Sequence, residues 1–177
     1  MKKVIYNISI KGELLEIIHL ENLSEKAQKE LSDVMASNED DDSYKNYFNE
    51  YYSWIKNEFK IIDNSRKRYV FAIYDSKIIG FIRIWNSEYC NICFIDGIDV
   101  KKEYQNNGIG YKLLKEGINE AKKIYVKEIT ANINIKNIPS IKIHEKIGFV
   151  KIGVSKINSY GKKMNNENLI EYRYKIV

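Results

Sequence analysis

From Tyr69 onward the hydrophobic pattern changes period several times, and the order of those changes leaves few folds open. Tyr69–Asp75 and Lys77–Asn86 are extended runs that meet at Asp75-Ser76-Lys77, a hairpin signal. Tyr89–Val100 reads as a third, meandering strand. Leu113, Leu114, Gly117, Ile118, Ala121, Ile124 and Tyr125 then recur at helical spacing and predict a helix from about Gly110 to Tyr125. Glu128–Ile135 alternates as a strand, and Ser140–Ile147 reads as a short helix stopped by Gly148. Phe149–Ile157 and Leu169–Val177 close the pattern as strands. An antiparallel meander followed by strand–helix–strand–helix–strand predicts an α+β, three-layer domain and excludes a doubly wound sheet.

The earlier residues fit the same domain. Leu14–Leu20 is short and β-branched and reads as the first strand. Ser24 can cap a helix through about Met35, with Ala27, Leu31 and Val34 on one face. Asn38–Ser43 is an acidic run, read as a solvated loop that can also draw in a cation. From about Ser43 to Phe59 aromatic residues crowd a second helix; Tyr44 and Tyr52, beside its apolar face, are free to line a pocket. With 177 residues, a lone proline at Pro139 and no linker, we expect one domain over residues 1–177.

Several functional classes drop out. Cys90 and Cys93 are the only cysteines, too few for a secreted disulfide scaffold, and a zinc site would lack its second half-motif. The net charge of +5 comes from scattered lysines, with arginine only at positions 66, 68, 83 and 173, so no nucleic-acid stripe is present. No run approaches the ~20 apolar residues of a spanning helix. Met1–Tyr6 starts like a leader, but Asn7, Ser9, Lys11 and Glu13 interrupt it, so a cytoplasmic protein without membrane or nucleic-acid partners is expected.

The chemistry is concentrated after Ile98-Asp99-Val100. Gln105-Asn106-Asn107-Gly108-Ile109-Gly110-Tyr111 places two glycines between a strand and an amphipathic helix. Glycine allows a turn and a close ligand approach, and free amides at a helix start favour an anion such as a phosphate. No Gly-Lys-Ser/Thr follows, and Leu113 stands where a dinucleotide fingerprint needs its third glycine, so neither nucleotide motif is met. About thirty residues on comes Asn137-Ile138-Pro139-Ser140, a short helix, and Gly148-Phe149.

Together these two motifs resemble the GNAT superfamily of acetyl-CoA-dependent N-acetyltransferases, whose pattern is Gln/Arg-x-x-Gly-x-Gly/Ala followed by a strand, Asn-x-x-Ser/Ala, a short helix and Gly-Phe. The resemblance covers roughly Tyr69 to Ile157. It implies a mixed, mostly antiparallel central sheet flanked by helices, with acetyl-CoA as donor and no metal. Gln105, Asn106, Asn107, Gly108, Ile109, Gly110 and Tyr111 would cradle the coenzyme A pyrophosphate, with Lys101, Lys102 or Lys142 adding charge because Asn106 and Asn107 are neutral. Ile98, Asp99 and Val100 would bond the pantetheine arm along a splayed strand, where a backbone amide could polarise the thioester carbonyl. Asn137 would orient the arm and Ser140 would begin the helix beside it.

An acceptor ammonium must lose a proton before it attacks. The family's base positions on the splayed strand fall here on Phe94, which cannot serve, and on Asp96, which can if burial raises its pKa. Asp99 is a weaker candidate. Seven residues after the asparagine, where the family offers a tyrosine to the departing thiolate, stands His144, whose pKa suits proton exchange near neutrality; Tyr160 is an alternative. The resemblance thus implies an N-acetyltransferase acting on a primary amine by direct attack in a ternary complex. The acceptor would be a small molecule, a polyamine or an aminoglycoside-like antibiotic. A fainter likeness to streptothricin acetyltransferases runs through Gly80-Phe81-Ile82-Arg83, Trp85-Asn86 and Ile95-Asp96-Gly97-Ile98. A protein N-terminus or lysine as acceptor, and a non-catalytic acyl-CoA-binding module, remain alternatives, and family members often form homodimers.

Overall fold

The computed structural model describes residues 3–10, 13–19, 23–39, 41–61 and 66–176. Leu20, Asp40 and Val177, which belong to predicted elements, lie outside them. Eight strands form one sheet: β1 (Lys3–Ile10), β2 (Glu13–His19), β3 (Lys67–Tyr74), β4 (Lys77–Asn86), β5 (Cys93–Val100), β6 (Glu128–Asn134), β7 (Val150–Val154) and β8 (Leu169–Lys175). Their order is β1-β2-β3-β4-β5-β6-β8-β7. Every pairing is antiparallel except β5 with β6, as a meander followed by a strand–helix–strand crossover requires. The sequence reading counted one strand too few at the start. β1, Lys3–Ile10, overlaps the Met1–Tyr6 stretch whose leader-like start is interrupted from Asn7 onward, and it pairs with the strand at Glu13–His19.

Helices cover both faces. The two early helices are α1 (Glu25–Ala36), capped by the Ser24 side chain as expected, and α2 (Tyr44–Ile61). They cover Tyr69, Phe71, Ile78 and Phe81. The other two, α3 (Ile109–Lys123) and α4 (Ile138–Ile147), cover the opposite residues of the same strands, among them Val70, Ala72, Ile82 and Ile84. Strand residues alternate between the two cores because successive side chains point to opposite faces. Where α3 crosses β4, a Cβ on Gly117 would lie 2.7 Å from the Ile82 side chain, so glycine sets the helix–sheet distance. Among the described residues no helix is long and apolar enough to cross a membrane.

The β3–β4 hairpin turns at Asp75 and Ser76, whose φ angles are 48° and 57°. Both central residues are left-handed, the geometry of the turn that matches strand twist. Serine adopts it at a cost that glycine avoids. Ser76→Gly is therefore expected to raise stability by about 0.5–1 kcal/mol, measured as a higher urea midpoint with unchanged slope.

Candidate active site

β5 and β6 run side by side only at their beginnings. Cys93, Phe94 and Ile95 pair with Ile129, Thr130 and Ala131; past that point no pairing holds, although β5 continues to Val100 and β6 to Asn134. The strands splay, and a cavity of about 360 Å³ opens between them. Asp96, Asp99, Asn132, Asn137, Ser140 and His144 are among its lining residues. On the side toward β6, the backbone from Asp96 to Val100 has no ladder partner. Ile98 and Val100 lie opposite Ile82 and Gly80 on β4, which puts their side chains on the α3 face; Asp99, opposite Phe81, faces α1 and α2.

The glycine loop starts at the end of β5. Gly108 has φ 75° and occupies the cap position of α3, and the first helical bond runs from the Lys112 amide to the Gly108 carbonyl. The amides of Ile109, Gly110 and Tyr111 therefore have no acceptor inside their own helix. Asn106, with φ 63°, takes a conformation that asparagine tolerates better than most residues. At Gly108 the left-handed backbone favours glycine, while a Cβ on Gly110 would meet the protein only at ordinary distances, Ile143 at 3.5 Å and Val100 at 4.0 Å. One expectation needs correction. Lys101, expected to add charge for a phosphate, is held by Asp33 at 2.8 Å and Glu103 at 3.1 Å. Gln105 also turns inward, its Nε2 donating to the Val100 carbonyl at 3.0 Å and to Asn38 Oδ1 at 2.7 Å. The Asn107 side chain bonds the carbonyls of Tyr104 and Gln105 and so shapes the loop.

Asn137 caps α4 by accepting from the Ser140 amide at 3.1 Å, and Pro139 sits in the first turn, where its missing N–H is harmless. The helix ends at Gly148 with φ 111°, and the Phe149 amide folds back onto the His144 carbonyl. Phe149 then packs edge-on against the His144 ring at 4.8 Å. His144 is 1% exposed, and its Nδ1 lies 2.8 Å from the Ser140 carbonyl oxygen. A carbonyl only accepts, so Nδ1 carries the hydrogen and Nε2 presents a lone pair. That Nε2 is buried without a partner. Burial holds the pKa of the ring below its ordinary value, against a smaller opposite pull from the Ser140 carbonyl. A donor role for His144 therefore first requires Nε2 to take up a proton.

Across the sheet, on the α2 face, Asp96 meets a partner that sequence reasoning missed. The Arg83 guanidinium forms an ion pair with the Asp96 carboxylate, accepts no exposure beyond 8%, and bonds the Asp96 carbonyl oxygen at 3.1 Å. Its other terminal nitrogen lies 2.9 Å from Glu58 Oε1, and its plane covers the Trp54 ring at 4.7 Å. Glu58 also receives Lys67 at 3.1 Å and the Tyr69 hydroxyl at 2.8 Å. Burial pushes the Asp96 pKa up, and Arg83 and Ser159 pull it partly back. Asp99 is different: burial and the nearby Glu39 push it up to about 7, opposed only by a hydrogen bond from Asn38. Tyr160 lies farther along, 44% exposed and edge-on to Trp85 at 4.9 Å. Cys93 is buried in the core with its thiol pushed up to about 12, which leaves no ready sulfur nucleophile there; Cys90 lies in the β4–β5 turn and only partly in the interior.

A model of the acetyltransferase (GNAT) family matches residues 32–149. No curated protein sequence matches significantly. Among solved structures, a protein of Pyrococcus horikoshii OT3 superposes with a TM-score of 0.73 at 24% identity, over 92% of this chain and 99% of its own. The PaiA N-acetyltransferase of Thermoplasma acidophilum, crystallised in complex with coenzyme A, gives 0.68 at 21% identity over 92% and 99%. A Bacillus anthracis str. Ames protein assigned as a streptothricin acetyltransferase, in complex with acetyl coenzyme A, matches 66% of each chain at 25% identity and a TM-score of 0.54.

Proposed function

The chain belongs to the acetyltransferase (GNAT) family, and from that premise we propose that it moves acetyl from acetyl-CoA to the primary amine of a small cationic molecule, by direct attack with both substrates bound. The observation that carries this reading is the splay. It leaves the β5 backbone from Asp96 to Val100 unpaired beside a cavity lined by Asp96, Asp99, Asn137, Ser140 and His144, and the anion-ready loop follows that strand directly in the chain. Acetyl-CoA fits the unused groups: its phosphates suit the free amides at Gly108–Tyr111, and its strand-like pantetheine arm suits the unpaired backbone from Asp96 to Val100. When bound it supplies the thioester, and the chain supplies position and proton handling.

In this reading Asn137 fixes the start of α4 and Ser140 orients His144, whose Nε2 faces the leaving sulfur and serves it once protonated. Asp96 and Asp99 are the carboxylates on the acceptor side able to take the ammonium proton. A cationic acceptor is supported by charge: residues 25–61 carry nine carboxylates against five lysines, while residues 109–147 carry eight lysines against four glutamates. The acceptor classes of two neighbours, an N-acetyltransferase substrate and streptothricin, agree with an amine.

Thermal unfolding with acetyl-CoA, with ATP and NAD as controls, tests the donor. At a hundred times its dissociation constant a ligand adds about 2.7 kcal/mol, or about 5–10 °C for a domain of this size. A shift with acetyl-CoA alone, followed by turnover of at least one polyamine or aminoglycoside in a free-thiol assay, is expected. A shift without turnover across the amine panel points instead to a non-catalytic acyl-CoA module, and no shift at millimolar donor ends the reading.

A further inference from the structure

On the acceptor side of the splay one carboxylate keeps an oxygen to spare. Asp99 Oδ1 accepts from Asn38 Nδ2 at 3.3 Å, and Oδ2 carries no hydrogen bond within the described residues. Asp96, three residues earlier, is committed to the Arg83 guanidinium and to Ser159. We propose that Asp99, rather than Asp96, takes the proton from the acceptor ammonium, and that Asn38 and Gln105 are positioning residues that hold its carboxylate. This inference rests on the acetyl-transfer reading above.

The strand geometry brings the two halves of the reaction to one residue. Around Asp99 the β5 backbone has left β6 and offers unpaired amides toward the cavity, while the Asp99 side chain faces α1 and α2. A thioester held along that backbone and an amine arriving from the acidic face would meet across the thickness of one strand. Asp99 accepts one proton from the ammonium and frees the nitrogen lone pair. The N–C bond forms as the C–S bond breaks, and sulfur leaves with the bonding electron pair. The second nitrogen proton is lost as the amide forms, and one proton returns to sulfur.

The carboxylate is held by a chain of two side chains. Gln105 Nε2 is anchored on the Val100 carbonyl and donates to Asn38 Oδ1, which fixes the Asn38 amide with its nitrogen toward Asp99. The same Nδ2 also reaches the Val34 carbonyl at 3.3 Å, and the Lys102 amide donates to Ser37 Oγ at 3.4 Å. The end of α1 is thereby tied to the loop proposed to bind the donor. Among the described residues the charged groups that face Asp99 are few. Glu39 follows α1 and repels it, and Tyr51 of α2 donates to Glu39 Oε1 at 2.8 Å. Its neighbour on β4 is Phe81, and on its own strand Asp96 and the adjoining Lys101 are turned to Arg83 and to Asp33 and Glu103.

The test is the pH dependence of kcat/KM for an amine found in the panel, in the full-length chain and four variants. Asp99→Asn should lose 10²-fold or more, the usual scale of acid–base assistance, while still binding acetyl-CoA by thermal shift. Glu39→Gln, which removes a like charge, should move the acid limb to lower pH. Asn38→Ala, which removes the bond that favours the ionised form, should move it to higher pH, and Asp96→Asn should leave it in place. Opposite movement of the two limbs is not expected of a purely structural pair. Transfer that persists in Asp99→Asn, or limbs that stay fixed in Glu39→Gln and Asn38→Ala, overturns the assignment and leaves acetyl transfer standing. Absence of transfer by the unmodified chain overturns both.

Discussion

Arg83→Met is expected to destabilise the protein by about 3–5 kcal/mol, because it strips the cation from two buried carboxylates without removing them. Arg83 is 8% exposed and stands between Glu58 and Asp96, with Trp54 beneath it. Burial works against its charge, and Asp96, Tyr69 and Glu58 outweigh that cost, so its pKa is raised. Glu58 feels the reverse: burial raises it, yet Arg83, Tyr69 and Lys67 together hold it below its ordinary value. Once the guanidinium is gone, both carboxylates titrate higher in the folded state than in the unfolded chain. The folded protein then retains protons that the unfolded chain has lost, so stability falls as pH rises from about 4 toward 8. Urea unfolding should therefore find a larger deficit at pH 8 than at pH 5. Replacing Glu58, Arg83 and Asp96 together by apolar residues of similar volume should recover most of the loss. A deficit below 1 kcal/mol for Arg83→Met at pH 8 would sink the view that this cation holds the β4–β5 end of the sheet.

That network also marks where sequence reading stops. Gly108 and Gly148 were legible because each acts through its own backbone, by a left-handed φ at a helix start and a helix end. The hairpin at Asp75-Ser76 and the Ser24 cap were legible too. The cap that Asn137 supplies and the first turn that Pro139 enters were not, since the helix was read to begin only at Ser140. Arg83 and Asp96 are thirteen residues apart and meet because the β4–β5 register shifts by one residue between Arg83 and Ile84, which turns Asp96 toward the guanidinium. No local pattern announces such a bulge. Asn38 and Asp99 are farther apart still, joined only when α1 ends against the loop after β5. The first strand was hidden for another reason. Val4–Ile10 alternates as a strand should, but two lysines before an apolar start invited a leader reading instead.

His144 lies between these cases. Its place in the short helix was visible, and a histidine four residues after Ser140 is within reach of that residue's carbonyl. What could not be read was that the bond consumes the Nδ1 hydrogen and that Phe149 seals the ring from water. The same residue type at the same position thus changes from a ready donor to a neutral acceptor, and the difference comes from packing alone.

Asp99→Asn should make the protein more stable above neutral pH even as it removes activity. Burial and Glu39 lift the Asp99 carboxyl from its ordinary 3.8 to about 7. For an acid raised in this way, the folded state keeps a proton that the unfolded chain releases. Its contribution is most favourable below pH 3.8 and is lost as pH climbs through about 7. Asparagine has nearly the same shape, still accepts from Asn38 through its side-chain oxygen, and never ionises. The gain from Asp99→Asn should therefore be nearly nil at pH 4, partial at pH 5 to 6 and full by pH 8, at most about 4 kcal/mol at 1.36 kcal/mol per pKa unit. Denaturant unfolding at those pH values measures it directly, with no substrate required. A variant that is equally stable at every pH would mean that water or a rearranged Asn38 already relieves the carboxylate, and Asp99 would then lack the raised pKa that suits it to take a proton near neutrality. A gain that grows with pH, beside a loss of turnover, is the expected signature of a charge kept in an unfavourable place because the reaction uses it there.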